Sequence, residues 1–248
     1  MAHFYLTEEL SLRAGESVEL TGPEARHAVV VSRLGVGDRI RLGDGAGRIA
    51  DGVVRVAESA RLVVDVDSVT ETPRRSPQFA LVQALAKGDR DELAVQAATE
   101  LGVDVVIPWQ AARSIVRWEG PKRQKGRERW AAVVREATKQ SMRAWLPDVL
   151  EVVDLRGLCA LGAEAQLLVL DPTAGESIAD VRADGRDLVV VVGPEGGIAP
   201  AELAALAEAG ARFVRLGPEV LRTSTAGPAA LAVLSVAEGR WDAPSGRG

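Results

Sequence analysis

Two glycine-rich turns near the carboxyl end of the sequence carry the residue types most suited to binding a small ligand. The first is GPEGG at 193–197, and the second lies within LGPEV at 216–220. Glycine lets the backbone adopt positive φ angles and approach a ligand closely, because no Cβ stands in the way. Glu195 lies inside the first turn, and Arg222 follows the second. The pattern predicts a site where backbone groups hold a ligand and these two side chains supply charge.

Buried strands must position the turns. The segment 188–192 (LVVVV) is apolar without alternation, which is typical of a strand buried on both faces of a parallel sheet. A second strand is expected at 212–216. Turns at the carboxyl ends of neighbouring strands form the crevice where open α/β sheets bind ligands. The sequence therefore places both turns on one crevice, although an ordinary βαβ unit with tight turns and no ligand is the alternative.

Helices complete this region. Pro200 is expected to begin a helix with Glu202 and Glu208 facing outward. The nearly all-apolar segment 229–237 predicts a helix buried on all sides, either in the core or against another subunit.

The N-terminal part has a different pattern. Short alternating segments at 17–20, 39–42, 48–56 and 61–66, separated by glycine-rich turns, predict a small β-barrel or sandwich. One short helix is expected at about 23–32. Residues 70–78 (TETPRRSPQ) are typical of a linker.

The middle of the chain predicts α/β structure. An apolar strand at 79–86, a helix at 91–101 and a strand at 103–107 form a βαβ unit, which predicts a right-handed parallel crossover. A further helix is expected at 127–142, followed by strands at 149–153 and 166–170.

Composition limits the possible classes of protein. The chain has 248 residues, of which 47% are hydrophobic and 26% charged, as expected for a globular protein. A single cysteine, Cys159, excludes an internal disulfide framework and fits a reducing cytoplasm, and two histidines argue against a metal site. No signal peptide and no apolar run of about 18 residues is present, so we expect a cytoplasmic protein without a membrane partner.

Charge is distributed unevenly. The net charge is −5, but the segment 113–143 holds ten basic residues against three acidic ones. A polyanion could bind there while the rest of the surface stays acidic, and a solvated helix face is the alternative explanation. The basic residues are Arg113, Arg117, Lys122, Arg123, Lys125, Arg127, Arg129, Arg135, Lys139 and Arg143.

The motifs together resemble a known family. GPEGG followed by LGPEVLRTSTA at 216–226 resembles the second and third cofactor motifs of the SPOUT methyltransferases, in particular the 16S ribosomal RNA uridine-N3 methyltransferase family. HAVVVSR at 27–33, LGDG at 42–45, the block from Lys87 to Ser114, and EATKQSMR at 136–143 resemble that family's other motifs. The resemblance covers most of the chain, from His27 to Ala226.

The resemblance implies a fold, a reaction and partners. The expected fold is an α/β SPOUT domain at 73–248, with a parallel sheet and a trefoil knot, preceded by a small PUA-like β-barrel RNA-binding domain at 1–72. The expected reaction transfers a methyl group from S-adenosylmethionine to N3 of a uridine in the decoding region of 16S rRNA. The substrate would be 16S rRNA or the small ribosomal subunit, and the enzyme would be a homodimer that needs no metal.

The resemblance, the two turns and the basic segment together predict site residues. RNA would contact Lys87, Arg113, Arg123 and Arg143 and, in the N-terminal domain, His27 and Arg33. His27 could equally be a hydrogen-bonded core residue. S-adenosylmethionine would be bound by Leu170, Gly193, Glu195, Gly196, Leu216, Gly217, Leu221, Thr223 and Ala226.

The chemistry suggests roles for two side chains. A sulfonium is already a good electrophile, so the protein mainly has to align donor and acceptor and exclude water. Loss of the uridine N3 proton leaves negative charge, which Arg222 could stabilise unless it binds a phosphate instead. Glu195 could accept the proton if burial raised its pKa, or it could only bond backbone amides. Many family members carry a glutamate where this chain has Ser224, so no base is expected at that position.

Two alternatives remain open. A SPOUT enzyme could instead methylate a ribose 2′-hydroxyl or another base of rRNA or tRNA. A non-catalytic RNA-binding or ribosome assembly protein could retain the pocket without turnover.

Overall fold

A computed structural model describes residues 3–7 and 12–242. The chain divides into two compact units. The N-terminal unit comprises residues 1–74 together with 138–146, and the C-terminal unit comprises 75–137 and 147–248. The segment 138–146, which the sequence assigns to the second domain, thus makes its contacts within the first unit.

The N-terminal unit contains one five-stranded sheet. Its strands are β1 His3–Leu6, β2 Ser17–Thr21, β3 Arg39–Gly43, β4 Arg48–Glu58 and β5 Arg61–Glu71. They lie in the order β1-β3-β4-β5-β2, and only the β1–β3 pair is parallel. The four predicted strands are confirmed, whereas the four-residue β1 was not predicted because it is too short to show alternation.

A short helix and a hydrophobic core complete this unit. Helix α1 spans Gly22–Arg26 and continues as a π-helical turn at His27–Val31, which confirms the predicted helix. Register shifts in the β4–β5 ladder at Asp51/Gly52 and Val54/Val56 are bulges, which increase the twist of the sheet. Its buried core includes Tyr5, Leu20, Ile40, Leu42, Leu62 and Val64.

The C-terminal unit is built on a seven-stranded parallel sheet. Its strands are β6 Phe79–Ala84, β7 Val105–Trp109, β8 Asp148–Val149, β9 Gln166–Leu170, β10 Glu176–Ser177, β11 Leu188–Val192 and β12 Arg212–Arg215. They lie in the order β10-β12-β9-β11-β6-β7-β8, with every pairing parallel. β11 is central, and all five of its residues are buried, as its unbroken apolar sequence predicts.

Five helices connect these strands. They are α2 Arg90–Glu100, α3 Pro121–Gln140, α4 Leu155–Leu161, α5 Pro200–Glu208 and α6 Thr223–Ala237, with a 3₁₀ turn at Ile178–Asp180. α3 begins six residues before its predicted start at residue 127. Its first turns are polar and exposed, so they lack the apolar period on which the prediction depended.

Three further expectations are wrong in part. The strand at 149–153 is reduced to Asp148–Val149, with Val153 forming only an isolated bridge to Trp109. α6 is buried along one side, but Val236 on the other side is 65% exposed, so the helix is not enclosed by its own core. Glu202 does not face outward. Its carboxylate accepts N–H bonds from Ala199 at 3.0 Å and Ala112 at 2.8 Å, because an acid in the first turn satisfies free amides there.

The residues after α6 are bound to the start of the sheet through a buried ion pair. Arg240 donates to the Asp104 carboxylate at 2.9 Å and to the Gly102 carbonyl at 3.2 Å, and it lies over the Phe79 ring. The two charged side chains are only 6% and 9% exposed. Burial lowers the pKa of Arg240, and the neighbouring Asp104 opposes this shift. Arg240 therefore ties the segment following α6 to Gly102 and Asp104, which precede β7, and to Phe79, the first residue of β6.

Removing one partner of this pair tests its contribution to stability. Arg240→Ala removes a buried cation from the Asp104 carboxylate, so we expect the free energy of unfolding in urea to fall by about 3–5 kcal/mol. Arg186→Ala is the control, because its pair with Asp184 is exposed and should contribute about 0–1 kcal/mol. Equal losses in the two variants would contradict the assignment.

Candidate active site

A cavity of about 640 Å³ opens at the carboxyl ends of β9, β11 and β12, next to the start of α6. Both glycine turns line it, as the sequence predicts. Eight of the nine residues proposed for the cofactor lie on its wall, together with the proposed catalytic residue Arg222. The eight are Leu170, Gly193, Glu195, Leu216, Gly217, Leu221, Thr223 and Ala226.

The ninth proposed residue, Gly196, is placed differently. Its carbonyl oxygen accepts a hydrogen bond from the Arg113 guanidinium at 3.1 Å, and a Cβ at Gly196 would lie 3.3 Å from the Cβ of Arg113. The first glycine turn therefore has one face toward the cavity and another against Arg113. Binding of a cofactor by Gly196 stays a prediction.

Close packing explains the glycine at the start of the first turn. A Cβ at Gly193 would lie 2.6 Å from Cγ1 of Ile198, which itself lines the cavity. Such a contact forces the chain to move, so only glycine fits this position without shifting the turn. Gly197 has a φ of +73°, which also favours glycine.

A buried chain of hydrogen bonds holds the first turn to α6. The hydroxyl of Thr223, the first residue of α6, donates to the Gly193 carbonyl at 2.9 Å and accepts from Nε2 of Gln83 at 2.8 Å. Gln83 belongs to β6 and is fully buried, and Thr223 is 8% exposed. Gln83 is not among the predicted site residues. Its signal was a single amide within the apolar strand FALVQA.

Glu195 is held by a cation and a backbone amide. Its carboxylate accepts from the Arg90 guanidinium at 3.0 Å and from the Lys87 N–H at 3.2 Å. Burial acts to raise the pKa of Glu195, but backbone N–H groups and Arg90 outweigh burial, and the pKa is lowered overall. A carboxylate with a lowered pKa is a weak base, so this geometry favours a positioning role over proton abstraction.

Charged side chains of both signs surround the cavity. Asp171, Arg215 and Glu219 line it in addition to the residues already named. No role was predicted for Arg215 or Glu219, because nothing in the segment 212–220 shows which side chains face the crevice. Arg222 lies at the N-cap of α6 with an exposed side chain, and its carbonyl accepts from the N–H groups of Thr225 and Ala226.

The structure shows which basic residues of the segment 113–143 are already engaged. Arg127 bonds Glu151, Arg129 bonds Asp89 and Glu92, and Arg123 donates to the Trp118 carbonyl. Lys139 pairs with Glu24 inside the N-terminal unit, to which Arg143 also belongs. A large part of the positive charge counted in the sequence is thus balanced within the protein.

The other proposed RNA contacts are exposed. Lys87 is exposed beside the first turn, and Arg33 is exposed with a φ of +58°. His27 is also exposed, with its ring centroid 5.8 Å from that of Tyr5, so the alternative of a core histidine is wrong. Contact of these residues with RNA stays a prediction.

The described residues contain neither a metal-binding cluster nor a membrane-spanning helix. Among the residues described, no cluster of three or more histidine, cysteine, aspartate or glutamate side chains is arranged to hold a metal ion. Over the same ranges, 3–7 and 12–242, none of the helices has the length and apolar character needed to cross a membrane.

Comparison with known families gives two matches. Residues 74–235 match the family described as an RNA methyltransferase domain, and residues 20–66 match the RNA methyltransferase PUA domain.

Individual relatives match over nearly the whole chain. Ribosomal RNA small subunit methyltransferase E of Mycobacterium bovis is 46% identical over 92% of this chain and 90% of its own length. The protein of the same name from Bacillus subtilis is 32% identical over 94% and 95%, respectively. A crystal structure of this methyltransferase from Neisseria gonorrhoeae, bound to S-adenosyl methionine, superposes with a TM-score of 0.87. The two sequences are 30% identical, and the match covers 96% of this chain and 98% of the Neisseria gonorrhoeae chain.

The hydrogen-bond chain at the first turn generates a prediction. Thr223→Val keeps the side-chain shape but removes the hydroxyl donor to the Gly193 carbonyl and leaves the Gln83 amide with the Ala84 carbonyl at 3.2 Å, so we expect a loss of about 1–3 kcal/mol in unfolding free energy. Thr225→Val is the matched control, since Thr225 is exposed on the same helix. Urea denaturation measures both variants, and a similar small loss in each would show that the buried hydroxyl contributes little.

Proposed function

Because the chain belongs to the family of ribosomal RNA small subunit methyltransferase E, we propose that it transfers a methyl group from S-adenosylmethionine to N3 of a uridine in 16S rRNA. Its enzyme class, an S-adenosylmethionine-dependent rRNA methyltransferase, follows from that membership. The proposal adds the target base and atom, and the roles of individual residues. The observation that carries it is the convergence of both glycine turns and Arg222 on one cavity.

The lining of the cavity fits the cofactor. Its volume is in the range of small-molecule sites, and Leu170, Leu216 and Leu221 provide apolar surface for an adenine ring. Asp171 and Glu219 offer carboxylates to a ligand that carries a positive sulfonium and an ammonium group. When bound, S-adenosylmethionine supplies a methyl group that is already electrophilic.

Arg222 is proposed to stabilise the negative charge that develops on the uracil ring when N3 loses its proton. It is positioned by α6, whose first residue is fixed to the Gly193 carbonyl. A rigidly placed cation contributes most where water is excluded, because it needs no reorganisation during the reaction.

Glu195 is proposed to hold the substrate side of the cavity in place through Arg90 and the Lys87 amide. Its lowered pKa keeps it ionised at neutral pH, which preserves the pair with Arg90. Proton acceptance by Glu195 is the competing role, and the experiment below distinguishes the two.

The partners form the rest of the proposal. We assign residues 1–72 to RNA binding through a PUA-like barrel and residues 73–248 to methyl transfer in a knotted SPOUT domain. RNA would contact His27, Arg33, Lys87, Arg113, Arg123 and Arg143. The substrate would be 16S rRNA or the small ribosomal subunit in the cytoplasm.

A homodimer is supported by α6. Its solvent side carries Ala229, Ala232 and Val233, which are partly exposed, and Val236, which is 65% exposed. This apolar stripe has helical spacing and would suit contact with a second copy. Sedimentation of the Val236→Glu variant tests this contact. If the variant has the same mass in solution as the wild type, this face of α6 is not the dimer interface.

Methylation of a defined substrate tests the proposal as a whole. Ribosomal RNA from a deletion strain should lack one 3-methyluridine, and the purified protein with S-adenosylmethionine should restore it, as measured by nucleoside mass spectrometry. Appearance of a 2′-O-methyl nucleoside instead would favour the ribose alternative. Donor binding by calorimetry without any product would favour an assembly protein.

Arg222→Ala separates stabilisation of the reacting base from donor binding. We expect kcat to fall by about 10²- to 10³-fold, the loss typical of removing one charge-stabilising group, while the Kd for S-adenosylmethionine changes little. Arg222→Lys should recover part of the rate. Parallel losses in kcat and donor affinity would place the guanidinium in the donor site.

Glu195→Gln distinguishes positioning from proton abstraction. A lowered folded pKa contributes stability that is complete above the ordinary value of 4.5 and is lost as pH falls through the lowered value. Because its lowered pKa keeps Glu195 ionised between about pH 6 and 9, the variant should keep the wild-type shape of the kcat profile over that range. A modest rate loss is expected because Arg90 is released. A general base would instead give a loss of about 10²- to 10⁴-fold and remove one limb of that profile.

A further inference from the structure

A second cavity in the C-terminal unit lies outside the site described above. It is a groove of about 580 Å³ between the loop that follows β6 and the start of α3. One wall carries Asp89, Asp91 and Glu92, and the other carries Ile115, Arg117, Lys122 and Lys125. We call it the α3 groove.

The α3 groove holds cations that the protein does not neutralise. Arg129, at its edge, pairs with Asp89 at 3.0 Å and with Glu92 at 2.5 Å. Lys122 and Lys125 have no ion-pair or hydrogen-bond partner for their side chains in the described part of the chain. Of the basic residues in segment 113–143, these two lysines are therefore the ones most available to an external anion.

The position of the two lysines is unfavourable for the isolated protein. Both lie near the beginning of α3, whose first turn contains no acidic residue. Cations there oppose the helix dipole by about 0.3–1 kcal/mol each, and they also repel each other. A bound phosphate would turn this arrangement into a favourable one.

An apolar side chain stands beside these cations. Ile115 lines the groove and is 72% exposed. Behind it, Trp118 and Trp130 are 8% and 1% exposed and contact each other edge to face, with ring centroids 5.3 Å apart. Trp118 also packs against Gly126, where a Cβ would lie 2.3 Å from the indole. The wall of the groove is thus rigid, and Ile115 offers a surface for a planar base.

The groove and the active-site cavity meet at one loop. Asp89 lines the groove, whereas Arg90, the next residue, lines the cavity and bonds Glu195. Adjacent Cα atoms are about 3.8 Å apart, so a single strand of nucleic acid could enter both sites.

We propose that the α3 groove binds a nucleotide of the substrate RNA that flanks the methylated uridine, with its phosphate on Lys122 and Lys125 and its base against Ile115. The inference rests on the proposed function. RNA is favoured over an acidic peptide as the occupant because the chain belongs to a family of ribosomal RNA methyltransferases. On the opposite wall, Asp89 is 70% exposed and can accept a hydrogen bond from a base N–H group.

Charge reversal tests the phosphate contact. The probe is a labelled single-stranded RNA oligonucleotide with one central uridine, and anisotropy measures its Kd over a range of salt concentrations. Lys122→Glu/Lys125→Glu should weaken binding about tenfold or more and reduce the slope of log K against log salt by about 0.7, the value for one phosphate contact on a single strand.

Controls separate this effect from folding and from general charge. The thermal unfolding temperature of the double variant is compared with that of the wild type, and equal values show that the change in binding does not come from loss of folding. Arg75→Glu, on an exposed residue before the amino end of β6, whereas the groove follows its carboxyl end, makes the same charge change per site and should leave the slope nearly unchanged. An unchanged slope in the double variant, or an equal effect of Arg75→Glu, would overturn the proposal.

Abasic substitution tests the base contact. Ile115→Ala should weaken binding of the intact oligonucleotide without altering the salt slope. When one nucleotide at a time is made abasic, the effect of Ile115→Ala should disappear at a single position next to the uridine. The inference is contradicted if the effect of Ile115→Ala persists at every abasic position. It is also contradicted if an acidic peptide competes for the groove more tightly than RNA does.

These outcomes do not depend on the target atom. Binding that follows the predicted pattern without 3-methyluridine formation would remove the proposed function and keep the RNA site. If the double variant methylates the RNA and binds it with wild-type affinity, the proposed function is kept and the RNA site in the α3 groove is removed.

Discussion

A buried hydroxyl group fixes the geometry of the candidate active site. Thr223 joins the amide of Gln83 to the carbonyl of Gly193, and so connects β6, the first glycine turn and α6 at one point. The cavity depends on this connection, because the first glycine turn and the first residues of α6 form its walls together with the turn after β12. Polar groups at such a depth are stable only when they are paired, so this small network selects one arrangement of the turns over others of similar compactness.

Charge acts locally in this protein. The chain is acidic overall, and its basic segment 113–143 would suggest a broad positive surface. The structure distributes that segment differently. Several arginines pair with carboxylates of the same unit, and Arg113 binds the carbonyl of Gly196. In the described part of the chain, Lys122 and Lys125 have no side-chain partner, and in our proposal they hold a phosphate of the substrate RNA close to the reacting base.

The central parts of the fold were predictable because their signals are local. β11 has an unbroken apolar sequence, and glycines mark both turns, so a ligand crevice follows from short segments. The start of α3 has no apolar period, and the two-residue strands β8 and β10 are too short to have one. Partners such as Gln83 and Thr223 are separated by 140 residues, and no local pattern encodes such a contact. For the same reason the hydrogen-bond or ion-pair partner of each arginine could not be predicted from the sequence.

The order of the strands sets the moment at which this enzyme becomes competent during its own synthesis. β6, made early, pairs with β7 on one side, but its other neighbour, β11, ends only at Val192, and the cavity is completed by residues up to Ala226. Parallel pairing across such separations is slow, because long loops must close before any contact forms. A nascent chain in which β12 and the first residues of α6 have not yet folded would therefore hold an incomplete cavity, and activity would begin only after the segment up to Ala226 has joined the sheet.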